Sequence, residues 1–130
     1  MKKYMVLFLF SLLVISLATG CTGGNGNGAV YSNPAQTITA KVGSEFVIAL
    51  ESNPTTGYDW EESHDAAMLT LVNDRYEAGQ KAKEGLVGAG GTHYFTYKAL
   101  KSGKTEITLI YKRSWEEESA KQNVFTVDIK

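Results

Sequence analysis

From residue 37 to the end, apolar and polar residues alternate with period two in segment after segment, and no stretch keeps a 3.6-residue period long enough for a long helix. Successive side chains of a strand point to opposite faces, so such alternation marks half-buried strands. Phe46, Ile48 and Leu50 alternate with Glu45, Val47, Ala49 and Glu51. Tyr58 and Trp60 oppose Asp59 and Glu61. Leu69, Leu71 and Asn73 are predicted opposite Thr70 and Val72. Phe95, Tyr97 and Ala99 form one face of a further segment, as do Ile107, Leu109 and Tyr111, and Phe125, Val127 and Ile129. Ile38 lies in a short additional strand, and "SHDAAML" could form one turn of helix at most. Gly, Pro, Ser and Asn separate these runs. The pattern predicts an all-β chain, a two-sheet sandwich of about seven to eight antiparallel strands. No internal disulfide is available to staple it, so Trp60 is expected at the centre of an apolar core.

The N-terminus has a different character. Lys2 and Lys3 precede an apolar run from Met5 to Leu17, and "LATGC" follows. That order is the order of a secretory signal. The apolar run is too short for a comfortable membrane span. The only cysteine, Cys21, directly follows the small residues, and the stretch resembles the lipobox of prokaryotic lipoproteins, with Ala18 where Leu is more usual. The resemblance implies cleavage before Cys21, lipidation of Cys21, and anchoring of an exported chain to a membrane, on its periplasmic or cell-surface face. The expected organisation is a signal peptide over 1–20, a lipidated Cys with a Gly/Asn-rich tether over 21–35, and one domain over 36–130. Cleavage would leave 110 residues with a formal charge of −3. An acidic domain without a basic stripe is a poor ligand for nucleic acid.

Three connections stand out among the predicted strands. "NPTTG" (Asn53 to Gly57) joins the Phe46 strand to the Trp60 strand. Residues 77–91, "EAGQKAKEGLVGAGG", form a long stretch without a clear element. Residues 113–122, "RSWEEESAKQ", join the last two strands. In a sandwich of this order the three can gather at one end.

Signals for chemistry are sparse. His64 and His93 lack the spacing of a metal site. No Gly-x-Ser-x-Gly motif occurs, and the lone Cys is assigned to the anchor. Glu116 to Glu118 read as a solvated loop, because consecutive carboxylates repel and do not alternate as calcium ligands do. No cofactor and no metal are expected, and the pattern is that of a non-enzyme.

Three motifs then coincide in order: "NPTTGYDW", "GAGGTHYFTYKAL" and "YKRSWE". Together they resemble the chagasin family of cysteine peptidase inhibitors, over about residues 36–130. The resemblance implies an immunoglobulin-like sandwich that blocks papain-like cysteine proteases reversibly and without covalent attack, its three loops filling the catalytic cleft. By matching position, Asn53, Pro54, Thr55, Thr56 and Gly57 form the central wedge. Gly88, Gly90 and Gly91 belong to the second loop, and Arg113 and Trp115 to the third. Ser114 departs from the family's usual Pro. The expected partner is a papain-like protease, met by a monomer. The alternative is an immunoglobulin-like adhesion or carbohydrate-binding surface module, which an exposed aromatic row on a sheet face would mark; Tyr94 alone is a thin case for it.

Overall fold

The structure, a computed structural model, describes residues 28–130. The expected signal peptide, Cys21 and tether residues 22–27 lie outside the described residues. Among the described residues, eight strands run in chain order: β1 (Val30–Tyr31), β2 (Ile38–Ala40), β3 (Glu45–Ser52), β4 (Tyr58–His64), β5 (Leu69–Ala78), β6 (Gly91–Ala99), β7 (Gly103–Arg113) and β8 (Lys121–Ile129). One sheet has the order β1-β3-β6-β5 and the other β2-β8-β7-β4. The result is the expected two-sheet sandwich of eight strands.

Four strand pairings are antiparallel, but β1 joins β3 and β2 joins β8 in parallel. Neither short strand is connected to its partner by a hairpin, so nothing local imposes antiparallel pairing. Both cover part of an edge that would otherwise offer unpaired backbone groups. Strand pairing therefore begins inside the stretch expected as tether over 21–35. Val30 already pairs with Val47, and Val47 N donates to Ala29 O at 2.9 Å.

The predicted inward faces meet in one core. Phe46, Ile48, Phe95, Tyr97, Ile107, Leu109, Phe125 and Val127 are among its largest buried side chains. Trp60 is not the centre. It packs at the end of the core nearest the β3–β4 connection, with its ring centroid 4.8 Å from that of Tyr111 and its indole N–H donating to Glu51 O at 2.9 Å. An indole must place its N–H, and the end of the core supplies a free strand carbonyl. Burial pushes the ionisation of Tyr97 far above its ordinary range, and the Glu62 charge adds to the shift. The Tyr97 hydroxyl stays neutral and donates to Glu62 at 2.9 Å.

The alternation predicted for β5 fails midway. The register shifts between Leu71 and Asn73, so one extra residue is inserted at Val72. A bulge reverses the phase of the residues after it. Asn73 consequently lies opposite Thr96, on the outer face, and Asp74 takes the inward position opposite Phe95. The stretch 77–91 also holds more structure than expected. β5 runs to Ala78, a four-residue helix α1 spans Gln80–Lys83, and Gly91 begins β6. Residues 65–68 form a turn without helix.

Candidate functional site

The β3–β4, β5–β6 and β7–β8 connections converge at one end of the sandwich. In the first, Pro54–Thr56 make a single 3-10 turn closed by Gly57 N donating to Pro54 O at 3.0 Å. Pro54 pre-sets the φ this turn needs. Gly57 follows at φ +82°, the left-handed region that a Cβ disfavours. The threonine hydroxyls tie back, as their type allows. Thr56 Oγ1 donates to Asn53 O at 2.7 Å, and Thr55 Oγ1 donates to Asn53 Oδ1. Pro54, Thr55, Thr56 and Gly57 are all exposed. The loop is thus stiff and outward-facing without burying any of its tip.

The third connection is built around the first. Glu116 N donates to Arg113 O at 3.1 Å, which makes Arg113–Glu116 a tight turn. Arg113 Nε donates to Thr56 O at 3.1 Å, and its guanidinium lies 4.5 Å over the Tyr58 ring and pairs with Glu116 at 3.2 Å. Trp115 is 70% exposed and stands against Gly57: a Cβ there would come within 2.6 Å of Trp115 Cη2. Tyr58 is not the core residue that its place in the alternation suggests. It is half-buried, stacked on Tyr111 at 5.1 Å, and serves as the platform for Arg113.

The second connection joins the first through Asn53, whose Nδ2 donates to Gly88 O at 2.8 Å. Its two stems close where Gly79 N donates to Gly90 O at 3.1 Å. The three glycines have different duties. Gly88 takes φ +81° at the tip. Gly90 and Gly91 leave no room for a side chain, since a Cβ would lie 2.7 Å from Ser52 O at Gly90 and 2.1 Å from Glu77 O at Gly91. Gly91 is thereby a strand residue that lets β5 and β6 close beneath the loop. Hydrogen bonding from Arg75, with Lys83 nearby, holds the Glu77 carboxyl below its usual range at the stem.

Two sets of residues that the sequence pattern does not single out complete this face. Alternation places Tyr111 only in the core, yet its hydroxyl accepts from Asn53 N at 2.9 Å and so supports the first loop from beneath. Leu86 and Val87 sit beside Gly88; Val87 is 97% exposed. A large apolar side chain held fully in water at a loop tip, beside glycine, is a signal that the sequence carries and that the glycine pattern overshadows.

The sequence profile of the chagasin family of peptidase inhibitors matches residues 39–129, most of the described chain. The chain belongs to the chagasin family. It is 36% identical over 100 residues to chagasin of Trypanosoma cruzi, covering 72% of this chain and 87% of that protein. It is 33% identical over 97 residues to amoebiasin-1 of Entamoeba histolytica, covering 75% and 91%. Its fold is similar to the crystal structure of the cysteine protease inhibitor EhICP2 from Entamoeba histolytica, with a TM-score of 0.68, 27% identity, and coverage of 78% and 95%. It also resembles in fold PbICP-C, solved in complex with falcipain-2, with a TM-score of 0.59, 18% identity, and coverage of 82% and 93%. The family consists of peptidase inhibitors, and the chain is accordingly not an enzyme.

The departure from the family at Ser114 now has a structural setting. Ser114 is the second residue of the Arg113–Glu116 turn, the position at which Pro is favoured, and Arg113 before it is extended strand, as a residue preceding Pro requires. Ser114→Pro is expected to tighten protease binding by up to about 1 kcal/mol through lower freedom of the unbound loop. Inhibition constants for the two proteins against one protease check this, and an unchanged or weaker constant with the fold intact counts against it. Tyr111→Phe has the opposite expectation. It leaves the Asn53 N–H without its acceptor while keeping the stacked ring, and weakening of about 1 kcal/mol, or roughly fivefold, is expected in the same assay.

Proposed function

We propose that this chain is a reversible, non-covalent inhibitor of papain-like cysteine proteases that occludes the catalytic cleft with its three loops. Asn53, Pro54, Thr55, Thr56 and Gly57 form the central wedge. Gly88 with Leu86 and Val87 meets the cleft on one side, and Arg113 with Trp115 on the other. The single observation that carries this reading is the mutual bracing of the loops: Asn53 to Gly88, Arg113 to Thr56, and Trp115 against Gly57. A wedge already fixed in shape loses little conformational entropy on binding, and that saving appears as affinity. The exposed apolar and guanidinium groups, Trp115 above all, are of the types that dominate interface energies. A complex of standard size buries roughly 1,600 Å² in total.

Titration of the protein against papain tests the reading. Stoichiometric, reversible loss of activity is expected, and no inhibition at micromolar concentration would falsify it. The adhesion or sugar-binding alternative finds little support, because the Arg75 guanidinium lies 4.2 Å over the Tyr94 ring and occupies the face on which a sugar would stack.

The proposal extends to attachment. A lipid on Cys21 would anchor the exported chain to a membrane by buried acyl chains. The topology supports this arrangement. β1 runs parallel to β3, so Gly28 lies beside Glu45 at the start of β3, while the first loop leaves its other end. Eight strand residues at about 3.3 Å each separate those ends. An anchor before residue 28 would therefore attach at the end of β3 opposite the first loop. Cys21→Ala is expected to move the protein from the membrane to the soluble fraction after expression in a bacterium. An unchanged fractionation and no acyl label on the wild type would sink the anchor and leave the inhibitory reading untouched.

A further inference from the structure

The sheets enclose an apolar core except along one flank, where edge strands β4 and β5 face one another and polar side chains fill the space. Glu62 accepts from the Tyr97 hydroxyl and lies 2.8 Å from His64 Nδ1. Nearer the loops stands His93, only 8% exposed and stacked on Phe95 at 4.3 Å. Its Nε2 pairs with Asp74 Oδ1 on β5. Its Nδ1 is buried without a hydrogen-bond partner and lies 3.5 Å from Asp59 Oδ1 on β4. Asp59 Oδ1 also accepts from Trp60 N at 2.8 Å.

A neutral imidazole has one N–H and can serve one carboxylate as donor. With that proton given to Asp74, Nδ1 turns a lone pair toward the second carboxylate. The doubly protonated ring donates from both nitrogens, to β5 and to β4 at once. Asp59 is two residues beyond Gly57, and His93 is two residues beyond Gly91. The ring therefore bridges the strands that carry the first and second loops, directly beneath them.

We propose that His93 is a proton-dependent positioning residue whose imidazolium ties β4 to β5 and sets the spacing of the first loop from the second. This rests on the inhibitory reading of that face. The other charged groups around the ring are otherwise engaged. Glu61 on β4 pairs with Lys112 at 3.5 Å, and Arg75 on β5 pairs with Glu77 at 2.9 Å. Tyr76 is opposite His93 in register, Tyr97, Glu62 and His64 form the neighbouring cluster, and Leu50 on β3 is apolar. The sign follows from the chemistry. The tie needs the second ring proton, so it is present in acid and lost as pH rises, and histidine side chains ordinarily change charge between about pH 5 and 8. The inhibitor is then best organised in acidic surroundings.

The test uses Asp59→Ala, a change at an exposed side chain, read at about pH 5.5 and about pH 8, toward the two ends of the interval in which histidine side chains ordinarily change charge. Papain inhibition is measured relative to wild type at each pH. In parallel, amide exchange protection at Thr56 and Gly57 is measured in the free protein. Loss of the Trp60 N–H acceptor acts equally at both pH values. Loss of the tie adds a further weakening of about two- to fivefold at the lower pH alone, the size of a partly exposed ion pair. Protection at Thr56 and Gly57 falls in acid alone. In a His93→Phe background, which keeps an aromatic ring against Phe95, Asp59→Ala has the same effect at both pH values. A variant-to-wild-type ratio that does not change with pH overturns the proposal. If papain is not inhibited at all, the exchange measurement decides by itself: pH-independent protection differences overturn the tie, and acid-specific ones uphold it while the inhibitory reading falls.

Discussion

Thr56→Asp is expected to reduce affinity for papain by at least about 100-fold while leaving the circular dichroism spectrum unchanged. Thr56 is exposed at the tip of the first loop, and its hydroxyl bonds only to the loop's own Asn53 carbonyl. Nothing in the free domain needs a threonine there for the sandwich to form, so the fold tolerates the change. The complex does not. The proposed pose places this tip in a dry cleft, where a carboxylate without a partner costs about 3 kcal/mol or more. At about 1.4 kcal/mol per tenfold, that is a loss of two decades or greater. The measurement is an inhibition constant by progress curves, beside a thermal melt. A variant that inhibits as well as wild type would show that the first loop does not enter the protease.

The second large effect is expected at Gly57→Ala, with a weakening of about 30-fold. Two costs add. The left-handed φ of +82° disfavours any Cβ by about 1–2 kcal/mol. The new methyl also meets Trp115 Cη2 at 2.6 Å, so the indole must leave its seat. Displacing Trp115 disturbs the third loop at the same time as the first, although the substitution lies in the first alone. Trp115 fluorescence reports the displacement in the free protein, and the inhibition constant reports its consequence. An unmoved emission spectrum together with full inhibition would remove Trp115 from the wedge. Because Arg113 braces Thr56 from the same turn, Gly57→Ala and Arg113→Ala are expected to be non-additive.

Most of the strands are legible in the chain because strand burial is written locally. Phe46, Ile48 and Leu50, or Phe125, Val127 and Ile129, alternate with outward residues, and each inward residue is buried. The three loops are legible as departures from that period. The bulge at Val72 is not, because one inserted residue looks like noise in a short alternating run, yet it moves Asn73 out and Asp74 in. Parallel pairing of β1 and β2 is also hidden, since two or three residues carry no directional signal. The place of Trp60 is hidden as well, because size argues for the centre of the core and only the structure offers its N–H a carbonyl near the loops.

The candidate site divides in the same way. Asn53, Pro54, Thr55, Thr56 and Gly57 announce a stiff turn by residue type alone, since ring closure, β-branching, short hydroxyls and a missing Cβ act within a few bonds. Tyr111 under Asn53, Trp115 against Gly57, Asn53 reaching Gly88, and His93 beside Asp59 join residues 34 or more apart. The sequence by itself determined most of the strands, the family and the stiffness of one loop, because those depend on local periodicity and local backbone chemistry. Only the tertiary structure decided how the three loops brace one another, because that depends on which side chains two packed sheets bring within hydrogen-bonding reach.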